Sequence, residues 1–149
     1  MMIFRSFVLL LLLVSTGLAR EYKAVFDCAS GDMGYVASRM FLVERTMDMM
    51  NEAGDSTKFA ITIHGGCAPI VAKEYDEFVK ESELESTKLA QDQLKKLKSL
   101  GVDVVVCAMS LNANTIDESE VIKEASISKN SFIETIAYQN DGYALMVFE

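Results

Sequence analysis

The sequence predicts an α/β domain layered around a mostly parallel sheet. Short apolar or alternating runs that read as strands alternate about five times with helical stretches, the pattern of successive strand–helix units. The run Val102-Asp103-Val104-Val105-Val106-Cys107 is rich in β-branched side chains and reads as a short buried strand. Gly101, just ahead of it, reads as the C-cap of a preceding helix, so helix, glycine, strand, cysteine and turn follow in that order.

The chain of 149 residues suits one domain with a sizeable core. Residues 1–19 have the three-part layout of a secretory signal. Arg5 supplies the positive start, Phe7 to Val14 the apolar run, and Gly17-Leu18-Ala19 the small residues for cleavage after Ala19. The apolar run is short for a spanning helix, which needs about 20 residues. The expectation is therefore an exported, periplasmic domain over residues 20–149, with no membrane attachment after cleavage. The whole chain carries a net charge of −8, and the segment to be removed contains Arg5 and no acid. Such an acidic domain argues against nucleic acid as a partner.

Tyr22 to Cys28 reads as the first strand, and Ala29-Ser30-Gly31-Asp32 as a turn whose Ser30 or Asp32 caps the next helix. That helix is expected from Met33 to Ala53, since Val36, Met40, Val43, Met47 and Met50 form one apolar stripe ending before Gly54. Thioethers suit Cu(I), but at this spacing the methionines read as core. Thr57 to His64 is the second strand, leading into His64-Gly65-Gly66-Cys67, with a short helix expected around Pro69. Lys73 to Glu85 is acidic and reads as a solvated face anchored by Tyr75, Phe78 and Val79. Ser86 to Leu100 is a helix with Ala90, Leu94 and Leu97 on one face. After Cys107, a polar connection and a short helix are expected between Ser110 and Ile122, then a brief strand at Ala125 to Ser128. Asn130-Ser131 caps a helix through Phe132, Ile133, Ile136 and Ala137, and Tyr143 to Phe148 reads as a terminal strand apolar enough to be buried.

Right-handed crossovers between parallel strands put every strand C-terminus on one edge of the sheet. Cys28, His64, Cys67 and Cys107 all fall there, where open α/β sheets bind ligands. A thiol at position 107 facing a helix that starts near Ser110 would meet N–H donors and a positive dipole end, both of which favour thiolate. As a small hydrophobe, Cys107 would equally well cap a core strand. Three cysteines in an exported chain leave an odd one, and which two pair is left open. No full glycine-rich phosphate loop is present, and the single histidine with no G-x-S-x-G gives no hydrolase triad. Neither a cofactor nor a metal is expected, because the three cysteines and His64 lack C-x₂-C spacing.

The chain resembles the DsrE/DsrF-like family of small α/β proteins associated with sulfur transfer and sulfur oxidation. The matching residues are Tyr22 to Phe26 leading to Ser30-Gly31-Asp32, then His64-Gly65, then Gly101-Val102 running into Val106-Cys107-Ala108-Met109-Ser110-Leu111, and the tail from Ile133-Glu134 to Gln139-Asn140-Asp141-Gly142-Tyr143. The resemblance implies a three-layer, Rossmann-like domain with a five-stranded sheet that assembles into homotrimers or homohexamers. It also implies that Cys107 stands where active members carry sulfur as a persulfide. The expected activity is that of a sulfur carrier or sulfurtransferase, with sulfur donor and acceptor proteins or small sulfur species as partners. Two features depart from the cytoplasmic sulfur-relay members: the export segment, and Cys67 beside His64. No Lys or Arg lies next to Cys107 in sequence, so its activation rests on backbone donors or on His64 from the neighbouring loop as candidate activator, and the added Cys67 is a candidate resolving or partner thiol. The alternatives are a non-catalytic oligomeric binding module, or a metal or redox site built from Cys28, His64, Cys67 and Cys107.

Overall fold

The computed structural model describes residues 19–148, so the predicted signal segment lies outside the described residues except for Ala19. Five strands form one all-parallel sheet: β1 (Glu21–Cys28), β2 (Ser56–Ile63), β3 (Asp103–Cys107), β4 (Ser126–Ser128) and β5 (Ala144–Phe148), in the order β4-β3-β2-β1-β5. Helices α1 (Met33–Glu52) and α2 (Leu84–Ser99) pack on one face, and α4 (Ser131–Asn140) crosses β1, β2 and β3 on the other. A short helix, α3 (Ala108–Ala113), springs directly from the end of β3. This is the layered, parallel α/β domain expected from the alternation of strands and helices, in the three-layer, Rossmann-like, five-stranded form that the family resemblance implies.

The pleat sorts the strand residues between two environments. Phe26 and Cys28 of β1, Ile61 and Ile63 of β2, and Val104 and Val106 of β3 join the α1 stripe Val36, Met40, Val43 and Met47 and the α2 residues Ala90, Leu94 and Leu97 in the main core. The alternate positions Asp27, Thr62 and Cys107 therefore face α4. Asp32 caps α1, its Oδ1 accepting from the Tyr35 N–H at 2.9 Å. Gly101 (φ +92°) follows α2, and the Val102 N–H returns to the Leu97 carbonyl at 3.1 Å. That left-handed cap turns the chain straight into β3.

Between β2 and α2 the chain makes three short 3₁₀ turns, Gly65–Val71, Tyr75–Glu77 and Glu81–Glu83. The buried Gln91 of α2 ties the first one down, its Nε2 donating to the carbonyls of Ile70 at 3.0 Å and Ala72 at 2.7 Å. Tyr75, Phe78 and Val79 pack partly against the core, as the sequence suggests for this acidic stretch.

One expectation about burial is corrected. The terminal strand β5 is an edge strand with Ala144 to Val147 exposed, because the strand order leaves it without an outer neighbour. In α4, Ser131 is buried while Phe132, Ile133 and Ile136 point outward at 64%, 58% and 58% exposure. The polar residues Glu134 and Thr135 are half-buried, bonding to Ser128 and Thr62 of the sheet.

Candidate functional site at the C-terminal sheet edge

Cys107 ends β3 and is the N-cap residue of α3, with 4% of its surface exposed. Burial pushes its thiol up, but hydrogen bonds outweigh that effect: the backbone N–H groups of Ser131 and Ser110 and the hydroxyls of both serines hold it below the ordinary thiol value. Ser110 lies in the first turn of α3 and Ser131 in the first turn of α4, so two helix starts converge on one sulfur. Asn130 leaves Ser131 free for this role, since its own Oδ1 caps α4 by accepting from the Phe132 N–H at 2.9 Å.

The loop after β2 is bound into the same arrangement. The Gly65 N–H donates to Ser110 Oγ at 3.0 Å, while Asn114 Nδ2 donates to the Gly65 carbonyl at 3.0 Å and to the Ser110 carbonyl at 2.8 Å. Ser110 thus accepts from the histidine loop, and the same hydroxyl helps hold the Cys107 thiol below its ordinary value. His64 Nε2 lies 3.0 Å from Asp27 Oδ2, and the Thr62 hydroxyl donates to Asp27 Oδ1 at 2.6 Å. An ionised Asp27 only accepts, so it fixes the proton of His64 on Nε2 and leaves Nδ1 as the basic nitrogen. The Phe132 ring stands edge-on to the imidazole, centroids 6.3 Å apart.

Backbone geometry explains why the loop sits so close. A Cβ on Gly66 would fall 2.7 Å from the Gly31 Cα and 2.8 Å from its nitrogen. The turn after β1 and the turn after β2 therefore touch main chain to main chain, which only a residue without a side chain permits. Gly66→Ala is expected to lower stability by about 2 kcal/mol through overpacking, read as a lower urea midpoint with an unchanged slope.

The structure brings together Cys107 and the His64 loop, but it does not bring Cys67 to Cys107. Cys67 is bonded to Cys28, with Cα atoms 5.8 Å apart and both residues fully buried, and Cys107 is the free cysteine. The expectation of Cys67 as a resolving or partner thiol for Cys107 is corrected accordingly. Cys28 and Cys67 belong to the core under α1 and α2, whereas Cys107 faces α4, so the sheet lies between them. The same separation disperses the four-residue metal set, and no group of three His, Cys, Asp or Glu placed to hold a metal occurs among the described residues. Sequence reading missed Asp27 and the contact of Ser131 with sulfur. The alternation of Phe26, Asp27 and Cys28 placed Asp27 on the face opposite Cys28, beside the next strand's Thr62 in register, and was the available signal for the first.

The model of the DsrE/DsrF-like family matches residues 23–148. An uncharacterized protein of Aquifex aeolicus (strain VF5) is 37% identical over 147 residues, covering 98% of this chain; the chain spans 65% of that relative's length. A protein of unknown function from Methanobacterium thermoautotrophicum has a similar solved structure, with a TM-score of 0.66 at 14% identity, over 85% of this chain and 98% of that one. The last likeness bears on the fold alone. With the family match spanning the sheet, both helical layers and the Cys107 edge, the chain belongs to the DsrE/DsrF-like family, which is associated with sulfur relay.

Proposed function

We propose that the protein is an exported sulfur carrier or sulfurtransferase that accepts sulfane sulfur as a persulfide on Cys107. The observation that carries this reading is the sulfur itself: a shielded thiol whose anion is met by donors from two helix starts. In the step envisaged, the Cys107 thiolate attacks the outer sulfur of a polysulfide or persulfide. A new S–S bond forms at Cys107, the donor's S–S bond breaks, and the donor leaves as a thiolate one sulfur shorter. His64, its Nε2 held by Asp27, takes the proton of the Cys107 thiol on Nδ1 and passes it to the departing thiolate. The Cys28–Cys67 disulfide supports work in an oxidising compartment, where such bonds persist.

The test is to expose reduced-then-repurified protein to polysulfide and map its peptides by mass. The peptide carrying Cys107 is expected to gain one or more sulfur atoms, and Cys107→Ser to gain none. Sulfur appearing on Cys28 or Cys67 instead would overturn the assignment.

The outward apolar face of α4 favours a second reading, a module whose work is to associate with copies of itself as a homotrimer or homohexamer. Phe132, Ile133 and Ile136, at i, i+1 and i+4, are all exposed large apolar residues on one helix, the kind of surface that marks association sites. The readings separate at Cys107→Ser, which removes sulfur loading in the first and leaves the biological phenotype intact in the second.

A further inference from the structure

On the α1 face of the sheet, the β1–β5 edge has no helix of its own. The chain reaches β5 through α4, which packs on the opposite face, while α2 lies beside α1 on the far side from β5. A groove of about 490 Å³ is left between α1 and the strands, floored by Phe26, Met146 and Phe148 and walled by Tyr35, Leu42 and Met50. That volume lies within the ~300–1,000 Å³ usual for small-molecule sites.

The charges on this groove are one-sided. Arg39 and Lys23 line it and no carboxylate among the described residues does, although the protein carries 22 acidic residues and a net charge of −8; Lys23, however, shares the pleat face of Asp27 and turns its side chain toward the α4 side. Lys23 is engaged, its Nζ donating to the Asp141 carbonyl at 3.3 Å, pairing with Glu21 at 3.9 Å and lying 5.7 Å from the Tyr143 ring. Arg39 is different. Its guanidinium stacks 4.7 Å over the Tyr35 ring and forms no ion pair with any described residue. Its Nε is buried without a hydrogen-bond partner. A guanidinium at a largely apolar groove with no carboxylate among the described residues to balance it leaves its positive charge for an anion entering the groove.

We propose that this groove binds a monoanionic amphiphile, a fatty-acid-like carboxylate whose tail lies along the apolar floor and whose head meets Arg39. A planar guanidinium matches a carboxylate with two parallel hydrogen bonds, which a neutral head group cannot supply. The site is independent of the thiol, because it lies on the other face of the sheet and uses none of the residues around Cys107.

Calorimetric titration of the purified protein with decanoate tests the proposal, with decanol as the same tail without charge and acetate as the charge without tail. Saturable binding of one decanoate per chain is expected, with decanol about tenfold weaker and acetate undetected. Arg39→Gln should lose about tenfold in decanoate affinity, the weight of one charge-assisted pair. Met146→Asp, on the exposed edge strand, should lose binding by placing a like charge on the floor, and neither variant should alter sulfur loading of Cys107. Failure of decanoate to saturate, unchanged affinity in Arg39→Gln, or displacement of the fatty acid by self-association into the groove would overturn it.

Discussion

Replacing Ser110 and Ser131 together by alanine is expected to slow alkylation of Cys107 at neutral pH by about tenfold and to move its pH profile upward. The two hydroxyls donate to the sulfur alongside the two backbone N–H groups, and together they overcome the burial that favours the neutral thiol. A hydrogen bond to an ionised group contributes about 1.5 kcal/mol, about a tenfold change in thiolate population for each hydroxyl lost. The rate falls by less than the population, because a more basic thiolate is also a better nucleophile, with a Brønsted slope of about 0.5. Alanine leaves the backbone donors in place, so each single variant should lie between the parent and the double variant. The sign for stability follows from the same bonds. Cys107 is held below its ordinary value when folded, so its thiolate stabilises the fold fully above the ordinary thiol range, and that contribution is lost as pH falls through the lowered value. The stability gap between parent and double variant should therefore widen as pH rises. Iodoacetamide kinetics across pH, with urea midpoints at two pH values, read both effects; an unchanged alkylation profile would mean that the hydroxyls do not hold the anion.

How much of this was legible in the sequence depends on whether local or long-range information was needed. The valine run behind Gly101 announces β3 and puts Cys107 at its end, because β-branching and a helix stop are local signals. The stripe Val36–Met40–Val43–Met47 gives α1 with the correct buried face for the same reason. The terminal strand was found but not its exposure: Leu145, Met146 and Val147 are as apolar as any core strand, and only the strand order, which no short window contains, makes them an edge. In α4 the apolar residues face outward because the sheet side is already committed to polar partners, Thr62 to Thr135 and Ser128 to Glu134. Periodicity alone, which takes an apolar face for the core face, carries no sign of that commitment. The site shows the same division. Cys107 and His64 follow from strand ends sharing one edge, whereas Ser131 is 24 positions from Cys107 and meets it only because β4 is brief and α4 turns back over the sheet.

Changing both Cys28 and Cys67 to alanine is expected to destabilise the protein by about 4 kcal/mol while leaving Cys107 able to take up sulfur. The bond closes a loop of sequence separation 39, and in the chain-entropy account that constraint on the unfolded ensemble is worth about 4 kcal/mol. At roughly 4 °C per kcal/mol for a domain of this size, the melting temperature should fall by about 15 °C. Part of the loss is local, since Cys28 ends β1 and Cys67 lies in the 3₁₀ turn that follows His64, next to the Gly31–Gly66 contact. Alanine is the appropriate replacement because both positions are fully buried in the apolar core, where a serine hydroxyl would add its own desolvation cost. The chemistry should be spared for a geometric reason. The disulfide faces the α1–α2 core, and the donors to Cys107 come from α3 and α4 on the opposite side of the sheet. Thermal unfolding and polysulfide loading measured on the same double variant, below its lowered melting temperature, distinguish a staple from a participant. A folded variant that no longer loads sulfur would assign the Cys28–Cys67 pair a redox role in the transfer, and would remove the division of labour between the two faces.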